Sequence, residues 1–485
     1  MYFNSLHFVA FFSVVFVATV LLRNRVPVRN GVLLVGSYYF YGCWNWRFLG
    51  LILLSTVVDY ACGLLFERCA GADPADPAVS RRRRLILALS LITNLGLLGF
   101  FKYYDFFIGS AADLLTAVGI PHDLRTLGIL LPVGISFYTF QTLSYTIDLY
   151  YGKIQTERNV LNFALFVSFF PQLVAGPIER AKNLLPQLAK PTEVTWDKIS
   201  SGFYLMAWGL FKKVVIADNL ARIVAEIWGQ GSPSGLGVVI GCYAFAFQLY
   251  CDFSGYSDIA RGAARCMGFE LMLNFRLPFF APNITDLWRR WHISLSTWLR
   301  DYIYYPLGGS RKGTRRNYIN ITITMVASGI WHGAGWPFAL MGLAYGLQLC
   351  LHKATEPWLT RFVRPKAAWS RSLWWTVRVF CTFQLFAAPM IFFRSRTMTI
   401  VGDMATSGWA NPLPADWTII VPQLTTFAWC AGALIAVQTL QYLKKDLDAI
   451  PRLPVPLRAV VYAAMMISIL LFGVIDGDAF VYFQF

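Results

Sequence analysis

Long hydrophobic runs separated by short polar segments dominate the pattern of positions along this chain. A transmembrane helix needs about 20 mostly apolar residues, and several of the runs are shorter. The pattern therefore predicts an all-α polytopic membrane protein with about eleven transmembrane helices, supplemented by re-entrant and interfacial helices. The apolar runs lie near residues 5–22, 31–46, 48–66, 85–108, 127–150, 160–174, 202–216, 236–249, 318–330, 337–351, 374–393, 417–442 and 459–475.

The segment 169–177 is the best candidate for a re-entrant piece. It contains Pro171, Gly176 and Pro177 within an apolar run. Such residues leave backbone groups that must be satisfied inside protein or in a wet cavity when they lie at membrane depth. We therefore expect a broken helix here.

The polar segments are too short to form a separate soluble domain, and no repeat of fixed period occurs. The least hydrophobic interior segments, predicted to be loops, are 70–80, 182–201 and 403–416. We expect one integral-membrane domain over residues 1–485, with its core motifs in 131–352 and further helices in 374–485.

Composition supports the membrane class. Of 485 residues, 56% are hydrophobic and 14% are charged, whereas soluble domains carry about 25% charged residues. No basic residue precedes the first apolar run, while Arg23, Arg25 and Arg29 follow it. A cleaved signal peptide has the opposite order, so the run is predicted to be a retained first span.

The net charge of +16 does not indicate nucleic-acid binding, because the basic residues are grouped in short loops. Such loops usually face the cytoplasm. With the loops 23–29 and 81–84 both cytoplasmic, the amino terminus lies outside. We predict contacts with membrane lipids and none with nucleic acid. The nine cysteines form no C-x-x-C pair, so we expect buried free thiols and neither disulfides nor a metal site.

Two histidines, forty positions apart, each follow a tryptophan. The first pair lies in a segment that begins with the capping residue Asn283. The segment carries a polar stripe at spacings of three, four and four, formed by Arg289, His292, Ser296 and Arg300. An adjacent aromatic stripe is formed by Trp288, Trp291, Leu295, Trp298 and Tyr302. This pattern predicts one amphipathic helix lying at the membrane interface. The alternative is a basic helix that merely rests on the membrane surface.

The second pair ends an apolar helix. Gly333 offers a helix cap after His332, and Pro337 blocks continuation. A polar stripe leads to the histidine at spacings of three, four, four and four: Asn317, Asn320, Thr324, Ser328 and His332. The stripe predicts a wet or ligand-lined passage with His332 at its end. The alternative is a structural histidine bonded to a neighbouring backbone carbonyl.

A third polar group occupies residues 250–262. Asp258 and Arg261 are three residues apart, which is suitable for an ion pair. Asp252 has no local partner and is predicted to face the same internal cavity as the histidines. His7, His122 and His352 are weaker candidates for chemistry.

Four sequence blocks together resemble the membrane-bound O-acyltransferase (MBOAT) family, in particular its alginate-acetylating members. The blocks are 169–180 (FFPQLVAGPIER), 248–262 (QLYCDFSGYSDIARG), 286–309 (DLWRRWHISLSTWLRDYIYYPLGG) and 329–333 (GIWHG), and the ending 481–485 (VYFQF) is also similar. The resemblance implies helices arranged around a central cavity. It matches His332 to the family's intramembrane histidine and His292 to its second histidine.

The resemblance also implies the activity. Such members transfer acetyl groups from cytoplasmic acetyl-coenzyme A across the bacterial inner membrane. A periplasmic acetyltransferase or esterase-like partner then modifies an exported polysaccharide, which this chain would reach only indirectly. No permanently bound cofactor and no metal are expected.

Acyl transfer from a thioester to a hydroxyl needs a base, for which a histidine is suited, and donors for the developing oxyanion. Which histidine is the base is left open. So is an acyl-enzyme intermediate on Ser254, Ser257, Ser296 or Ser328. Arg311, Lys312, Arg315 and Arg316 offer further cations for the donor phosphates. The predicted binding residues are Asp252, Trp288, Arg289, Arg290, Trp291, Ser296, Arg300, Asp301, Ser328 and Trp331.

Two other functions fit parts of the pattern. A transporter would also place polar groups within the membrane, but the symmetric halves expected of many transporters are not seen in the sequence. Within the acyltransferase class, D-alanyl transfer to teichoic acid and acylation of a lipid or protein are the closer alternatives.

Overall fold

The computed structural model describes residues 1, 3–69, 76–174, 176–362, 365–474 and 480–481. Over these residues all regular structure is helical. The all-α prediction is therefore confirmed. The chain groups into two compact units: Met1–Phe203 with Ala260–Met272, and Tyr204–Ile259 with Leu273–Phe485.

The first unit contains nine α-helices within the described residues. They are α1 (Leu6–Leu21), α2 (Val26–Asn45), α3 (Leu49–Arg68), α4 (Pro77–Leu98), α5 (Tyr104–Ala117), α6 (Ile135–Tyr150), α7 (Val160–Ser168), α8 (Phe170–Leu173) and α9 (Ala181–Leu188). A 3-10 turn at Trp46–Phe48 joins α2 to α3, and a π-helical turn at Gly99–Tyr103 joins α4 to α5.

Helix α10 (Trp196–Phe211) leads into the second unit. The next helices are α11 (Asp218–Gly229), α12 (Gly235–Cys266), α13 (Ile284–Arg290), α14 (Ile293–Leu299), α15 (Gly313–His332) and α16 (Trp336–Phe362). The last are α17 (Ala368–Ala387), α18 (Met390–Arg394), α19 (Met398–Ala410), α20 (Trp417–Lys444) and α21 (Val455–Phe472). Lys212–Ala217 and Arg300–Tyr304 are π-helical, and Pro278–Phe280 is a 3-10 turn.

Seven helical stretches in the described part of the chain are long and apolar enough to cross a membrane. They are Val26–Arg68, Pro77–Ala117, Trp196–Gly229, Gly235–Cys266, Ala368–Arg394, Trp417–Lys444 and Val455–Phe472. Seven is four fewer than the predicted eleven. Val26–Arg68 counts as one stretch of 43 residues although it contains α2 and α3. Helices α1, α6 and α7, with 16, 16 and nine residues, are too short to span.

The outer faces of these helices are apolar. Leu470 and Leu471 of α21 are 78% and 70% exposed, and only 6% of the most hydrophobic window of that helix is buried. Leaving so much apolar surface in water is unfavourable at about 25 cal/mol per Å². The faces therefore suit contact with lipid chains.

The chain is broken where a re-entrant piece was predicted. Helix α7 ends at Ser168, and α8 follows after the single non-helical residue Phe169. The carbonyl oxygen of Phe166 accepts a hydrogen bond from Gln172 at 2.9 Å, and the backbone N–H of Phe170 donates to Ser37 Oγ at 3.0 Å. Side chains thus replace the missing helical partners. Residue 175 lies outside the described residues, as do 70–75 of a predicted loop and 482–485 of the similar ending.

Helices α15 and α16 form a close antiparallel pair because glycines line their contact. A Cβ added to Gly329 would collide with the carbonyl oxygen of Phe338, and one added to Gly333 would collide with the Phe338 ring. A Cβ on Gly342 would meet Val326 Cα at 2.8 Å. The close approach fixes the end of α15, where His332 is the last helical residue and Gly333 is the cap, as predicted.

The prediction of a single amphipathic helix through His292 is wrong. Helix α13 ends at Arg290 and α14 begins at Ile293. His292 lies between them in the left-handed region, at φ 41° and ψ 56°, which is uncommon for a residue other than glycine. The predicted start at Asn283 is correct, because Asn283 Oδ1 accepts a hydrogen bond from the Asp286 N–H at 2.8 Å.

Candidate active site

The break at His292 is held by Asn274, eighteen residues earlier in the chain. The backbone N–H of Ile293 donates to the Asn274 carbonyl at 2.9 Å. The Asn274 side-chain oxygen accepts from Ser294 Oγ at 2.9 Å and from the Ser294 N–H at 3.3 Å. Asn274 Nδ2 donates to Ser257 Oγ at 3.3 Å. These contacts replace the helical hydrogen bonds that a continuous helix would have formed.

The same amide oxygen sets the tautomer of His292. His292 Nδ1 lies 3.1 Å from Asn274 Oδ1. An amide oxygen only accepts hydrogen bonds, so the contact requires a proton on Nδ1. In the neutral imidazole the lone pair then lies on Nε2. Among the described residues Nε2 has no hydrogen-bond partner.

His292 is buried in apolar surroundings, with 1% of its surface exposed. Its ring packs edge-on against Phe253, with ring centres 4.6 Å apart. Burial holds the pKa of His292 well below its ordinary value, and the neighbouring His332 lowers it further. The imidazole is therefore neutral at pH 7.

The Trp331 indole contacts both histidines. Its ring centre lies 5.7 Å from that of His292 and 5.1 Å from that of His332. Phe393 packs against His332 at 5.2 Å. The two Trp-His pairs, forty positions apart in sequence, are therefore assembled around one aromatic residue.

His332 lines a small cavity with Trp288, Trp291 and Ser328. Its volume of about 10 Å³ is roughly that needed for one water molecule. The remaining lining residues are Leu249, Met325, Gly329, Met341, Gly342, Tyr345, Phe386, Met390 and Phe393. Methionine side chains are flexible, so Met325, Met341 and Met390 can change conformation to admit a larger ligand.

The polar stripe on α15 lines this cavity only at its end. Asn320 Nδ2 donates to the carbonyl of Gly309 at 2.9 Å, and Asn317 Oδ1 accepts from the Tyr304 hydroxyl at 2.7 Å. Thr324 Oγ1 donates back to the Asn320 carbonyl at 2.7 Å. The prediction that these three residues line a continuous passage is therefore wrong. Their side chains form hydrogen bonds to the preceding segment and to α15 itself.

Comparison with known proteins places the chain in a family. The family model described as "MBOAT, membrane-bound O-acyltransferase family" matches residues 154–393. A protein named "probable alginate O-acetylase" from Azotobacter vinelandii is 39% identical over 391 residues, which cover 81% of this chain and 74% of that protein. The chain belongs to the membrane-bound O-acyltransferase family.

Two further relatives of this membrane-bound O-acyltransferase act, by name, on other polymers. A "peptidoglycan O-acetyltransferase" from Helicobacter pylori is 35% identical, with 76% of this chain and 71% of the relative covered. A "teichoic acid D-alanyltransferase" from Bacillus subtilis is 26% identical, with 53% and 65% covered. The predictions of an O-acyltransferase and of a multi-pass membrane protein are confirmed.

Asp252 has a different environment from the one predicted. Its Oδ1 lies 2.9 Å from Lys213 Nζ, and its Oδ2 accepts from the Val481 N–H at 2.7 Å. Lys213 Nζ also lies 2.8 Å from Asp218 Oδ1. The prediction that Asp252 faces the histidine cavity is wrong, because a buried charge is stabilised by a direct partner.

Sequence reasoning missed both lysines of this acyltransferase's buried charge network. Lys212 Nζ donates to Asp258 Oδ2 at 2.7 Å and to Ser254 Oγ at 2.8 Å. Lys212 and Lys213 begin the π-helical turn and are almost fully buried. The available signal was two charges inside an apolar run, since charges at membrane depth are costly unless paired.

The predicted binding residues around α13 and α14 are divided between the protein interior and the surface. Trp288 packs edge-on against Tyr345 at 4.9 Å, and Ser296 Oγ donates to the Trp291 carbonyl at 3.1 Å. Arg289 is exposed. The other cations have acidic neighbours: Arg290 Nε lies 2.8 Å from Asp286, and Arg300 Nε lies 2.8 Å from Asp301.

The loop cations Arg311, Lys312, Arg315 and Arg316 are all exposed. They begin or precede α15, whereas His332 ends it. At about 1.5 Å per residue, Arg315 and His332 are separated by roughly 25 Å along the helix. Across the described chain, no group of three or more His, Cys, Asp or Glu residues is arranged to hold a metal ion.

Proposed function

We propose that this chain is an O-acetyltransferase that passes acetyl groups from cytoplasmic acetyl-coenzyme A across a bacterial inner membrane. The acceptor is an exported polysaccharide such as alginate, reached through a periplasmic acetyltransferase or esterase-like partner. The names of the relatives with most coverage support the acetyl group. We further propose that residues 1–485 act as one integral-membrane domain.

One observation carries the chemical part of this proposal: both histidines contact Trp331, and His332 lines a small cavity. We propose His332 as the base because it reaches the cavity. His292, held by Asn274, serves as a neutral neighbour whose Nε2 lone pair can accept a hydrogen bond. A neutral His292 avoids placing a second positive charge beside His332 when that residue takes a proton.

The reaction balances without a resident cofactor. His332 takes the proton of the attacking hydroxyl, and the hydroxyl oxygen forms a bond to the thioester carbonyl carbon. The carbon–sulfur bond then breaks, and His332 returns the proton to the leaving thiolate, which gives a thiol. The described side chains that can donate near the cavity include the indole N–H of Trp288 and Trp331 and the hydroxyl of Ser328.

The exposed loop cations are proposed to attract the donor rather than to hold it at the reacting centre. Their position at the far end of α15 separates them from His332, so the thioester arm must lie between helices to reach the cavity. Long-range attraction of an anionic substrate raises its association rate and weakens with salt. Arg289, on α13, is the exposed cation nearest to His292 in sequence.

The hydrocarbon core is about 30 Å thick, so an acceptor outside the membrane cannot meet the donor directly. The partner protein is proposed to accept the acetyl group on the periplasmic side of the membrane. Efficient O-acetylation of alginate by this chain alone would exclude the relay.

The test uses proteoliposomes with acetyl-coenzyme A inside and alginate outside. We expect slow donor turnover by the chain alone and a rate increase when the partner's ectodomain is added outside. D-Alanyl transfer from a carrier-bound thioester, measured in parallel, tests the closest alternative in the family. A transporter is not proposed, since the family membership supplies a chemical activity.

A further inference from the structure

A second and larger cavity lies in the second unit and is lined by neither His292 nor His332. This groove has a volume of about 320 Å³ and is formed by α16, α17 and the residues just before α13. That volume is within the usual range for small-molecule sites, about 300–1,000 Å³. None of its lining residues lines the cavity at His332. The acyl-transfer site therefore does not account for it.

The walls of the groove are suited to a hydrocarbon chain. Leu351, Val377 and Leu385 line it and are 64%, 40% and 43% exposed. Trp374 and Leu359 complete the apolar part of the lining. In a membrane protein such an exposed apolar rim meets lipid rather than water. An occupant with an apolar chain is therefore favoured over a water-soluble one.

The middle of the groove is polar and carries the cation Arg378. Arg378 lines the groove, and its Nε–H donates to the Pro282 carbonyl at 3.0 Å. A guanidinium has five N–H groups in a fork suited to phosphate. Within the described chain the Arg378 terminal nitrogens form no other hydrogen bond, so they are available to an anionic head group.

Among the described residues no carboxylate lies within ion-pair distance of Arg378, because the acidic residue of the groove has another neighbour. Glu356 Oε2 lies 3.3 Å from His352 Nε2. Burial lowers the pKa of His352; Glu356 opposes the shift, while Arg378 and Lys353 add to it. The Glu356 carboxylate thus contacts His352 and not the Arg378 guanidinium, which lines the groove as a cation.

The groove lies level with the basic end of α15. Cys350, on α16 between the groove residues Gln348 and Leu351, donates through Sγ to the Tyr318 carbonyl at 3.5 Å. Tyr318 follows the loop cations by two residues. Basic pockets between membrane helices on the cytoplasmic side bind anionic lipid head groups. The cation pattern and the apolar rim thus favour the same occupant.

We propose that this groove binds one anionic phospholipid, with an acyl chain along Leu351, Val377 and Leu385 and its phosphate at Arg378. Because Arg378 also holds the Pro282 carbonyl, the bound lipid contacts the residue that fixes the start of α13. That helix ends two residues before His292. The lipid would therefore support the segment that leads to the candidate active site.

Cys381 provides a direct probe, because it lines the groove and its thiol is exposed. Cys43 is the other exposed cysteine and is replaced in a Cys43→Ser background. In detergent, phosphatidylglycerol should slow maleimide labelling of Cys381 several-fold more than phosphatidylcholine does. Native mass spectrometry of the same samples should show one retained phosphatidylglycerol molecule.

In Arg378→Gln, phosphatidylglycerol and phosphatidylcholine should slow the labelling of Cys381 equally. In Arg371→Gln, phosphatidylglycerol should still slow it more. Arg371 is the matched control because it is exposed on the same helix and does not line the groove. Should Arg378→Gln fail to fold, Thr355→Glu, which adds a carboxylate to the groove lining, should remove the preference for phosphatidylglycerol. Val377→Trp, which fills the groove, should abolish lipid retention with Arg378 intact.

Three outcomes would overturn the proposal. Equal protection by both lipids would show that charge does not select the occupant. Equal loss in Arg378→Gln and Arg371→Gln would show only general attraction to the basic surface. Protection by coenzyme A in place of phosphatidylglycerol would assign the groove to the nucleotide donor.

Discussion

The two Trp-His pairs reach the same aromatic residue by different structural means. His292 occupies a strained break between two seven-residue helices, and its position depends on hydrogen bonds to Asn274. His332 ends a regular helix of 20 residues, and its position depends on glycines that let α16 approach closely. A polar network thus holds one imidazole, and backbone packing holds the other.

The largest expected effect is at His332, which is the proposed base and is held in place by the close packing of α15 and α16. His332→Ala should reduce acetyl transfer by about 10²–10⁴-fold, since it removes the group that moves the proton. Transfer of acetyl from labelled acetyl-coenzyme A by purified protein measures the change. His7→Ala is the control, because His7 is exposed and contacts Tyr39. Substantial transfer by a well-folded His332→Ala protein would contradict the assignment.

Asn274 is the residue whose hydrogen bonds hold His292 in place. Asn274→Ala removes the acceptor for His292 Nδ1 and leaves a buried donor unsatisfied, at a cost of about 1–3 kcal/mol. We expect roughly 10–100-fold lower transfer, because His292 also loses the contact that fixes its proton on Nδ1, and each tenfold corresponds to about 1.4 kcal/mol in the activation barrier. Retention of wild-type activity in the Ala variant would show that the tautomer of His292 is unimportant.

Asn274→Asp sharpens this test because it keeps an oxygen acceptor at Nδ1. A carboxylate beside His292 favours the protonated imidazole and so raises its pKa. In the wild type, burial holds that pKa well below its ordinary value, so protonation of His292 does not limit activity near neutral pH. The variant should lose activity as the pH falls, at a higher pH than the wild type. An unchanged pH–rate profile would separate His292 from the chemistry.

The glycine contact can be broken without touching either histidine. Gly329→Ala forces a Cβ against the Phe338 carbonyl oxygen, and such overpacking costs about 1–3 kcal/mol. We expect a lower thermal midpoint and lower acetyl transfer. Gly432→Ala on α20 is the matched control, since nothing lies within 4 Å of its added Cβ. Equal midpoints for the two variants would show that the close approach is not required.

The smallest effect is expected from the loop cations. Replacing Arg311, Lys312, Arg315 and Arg316 together by Gln should raise the KM for acetyl-coenzyme A with little change in kcat. Wild-type KM should also rise with salt, and the variant should respond less. Arg81→Gln with Arg82→Gln is the control in another basic segment. Labelling of a Lys312→Cys protein from the periplasmic side alone would contradict the proposed cytoplasmic route.

Local patterns predicted several features correctly. Asn283 caps α13, and α15 ends at His332 before Gly333, because capping depends on residues within one turn. The same local rules failed at His292. Periodicity favoured a continuous helix there, while Asn274, eighteen positions away, supplied competing hydrogen bonds.

Hydrophobic periodicity and the motifs in the sequence determined the helical class, the membrane environment and the two histidines. Those features depend on composition and on neighbours within a few residues. Only the tertiary structure decided that both histidines contact Trp331, that Asp252 pairs with Lys213, and that Asn274 sets the tautomer of His292. These contacts join residues far apart in the chain, and their partners are selected by packing and by the cost of burying an unsatisfied polar group.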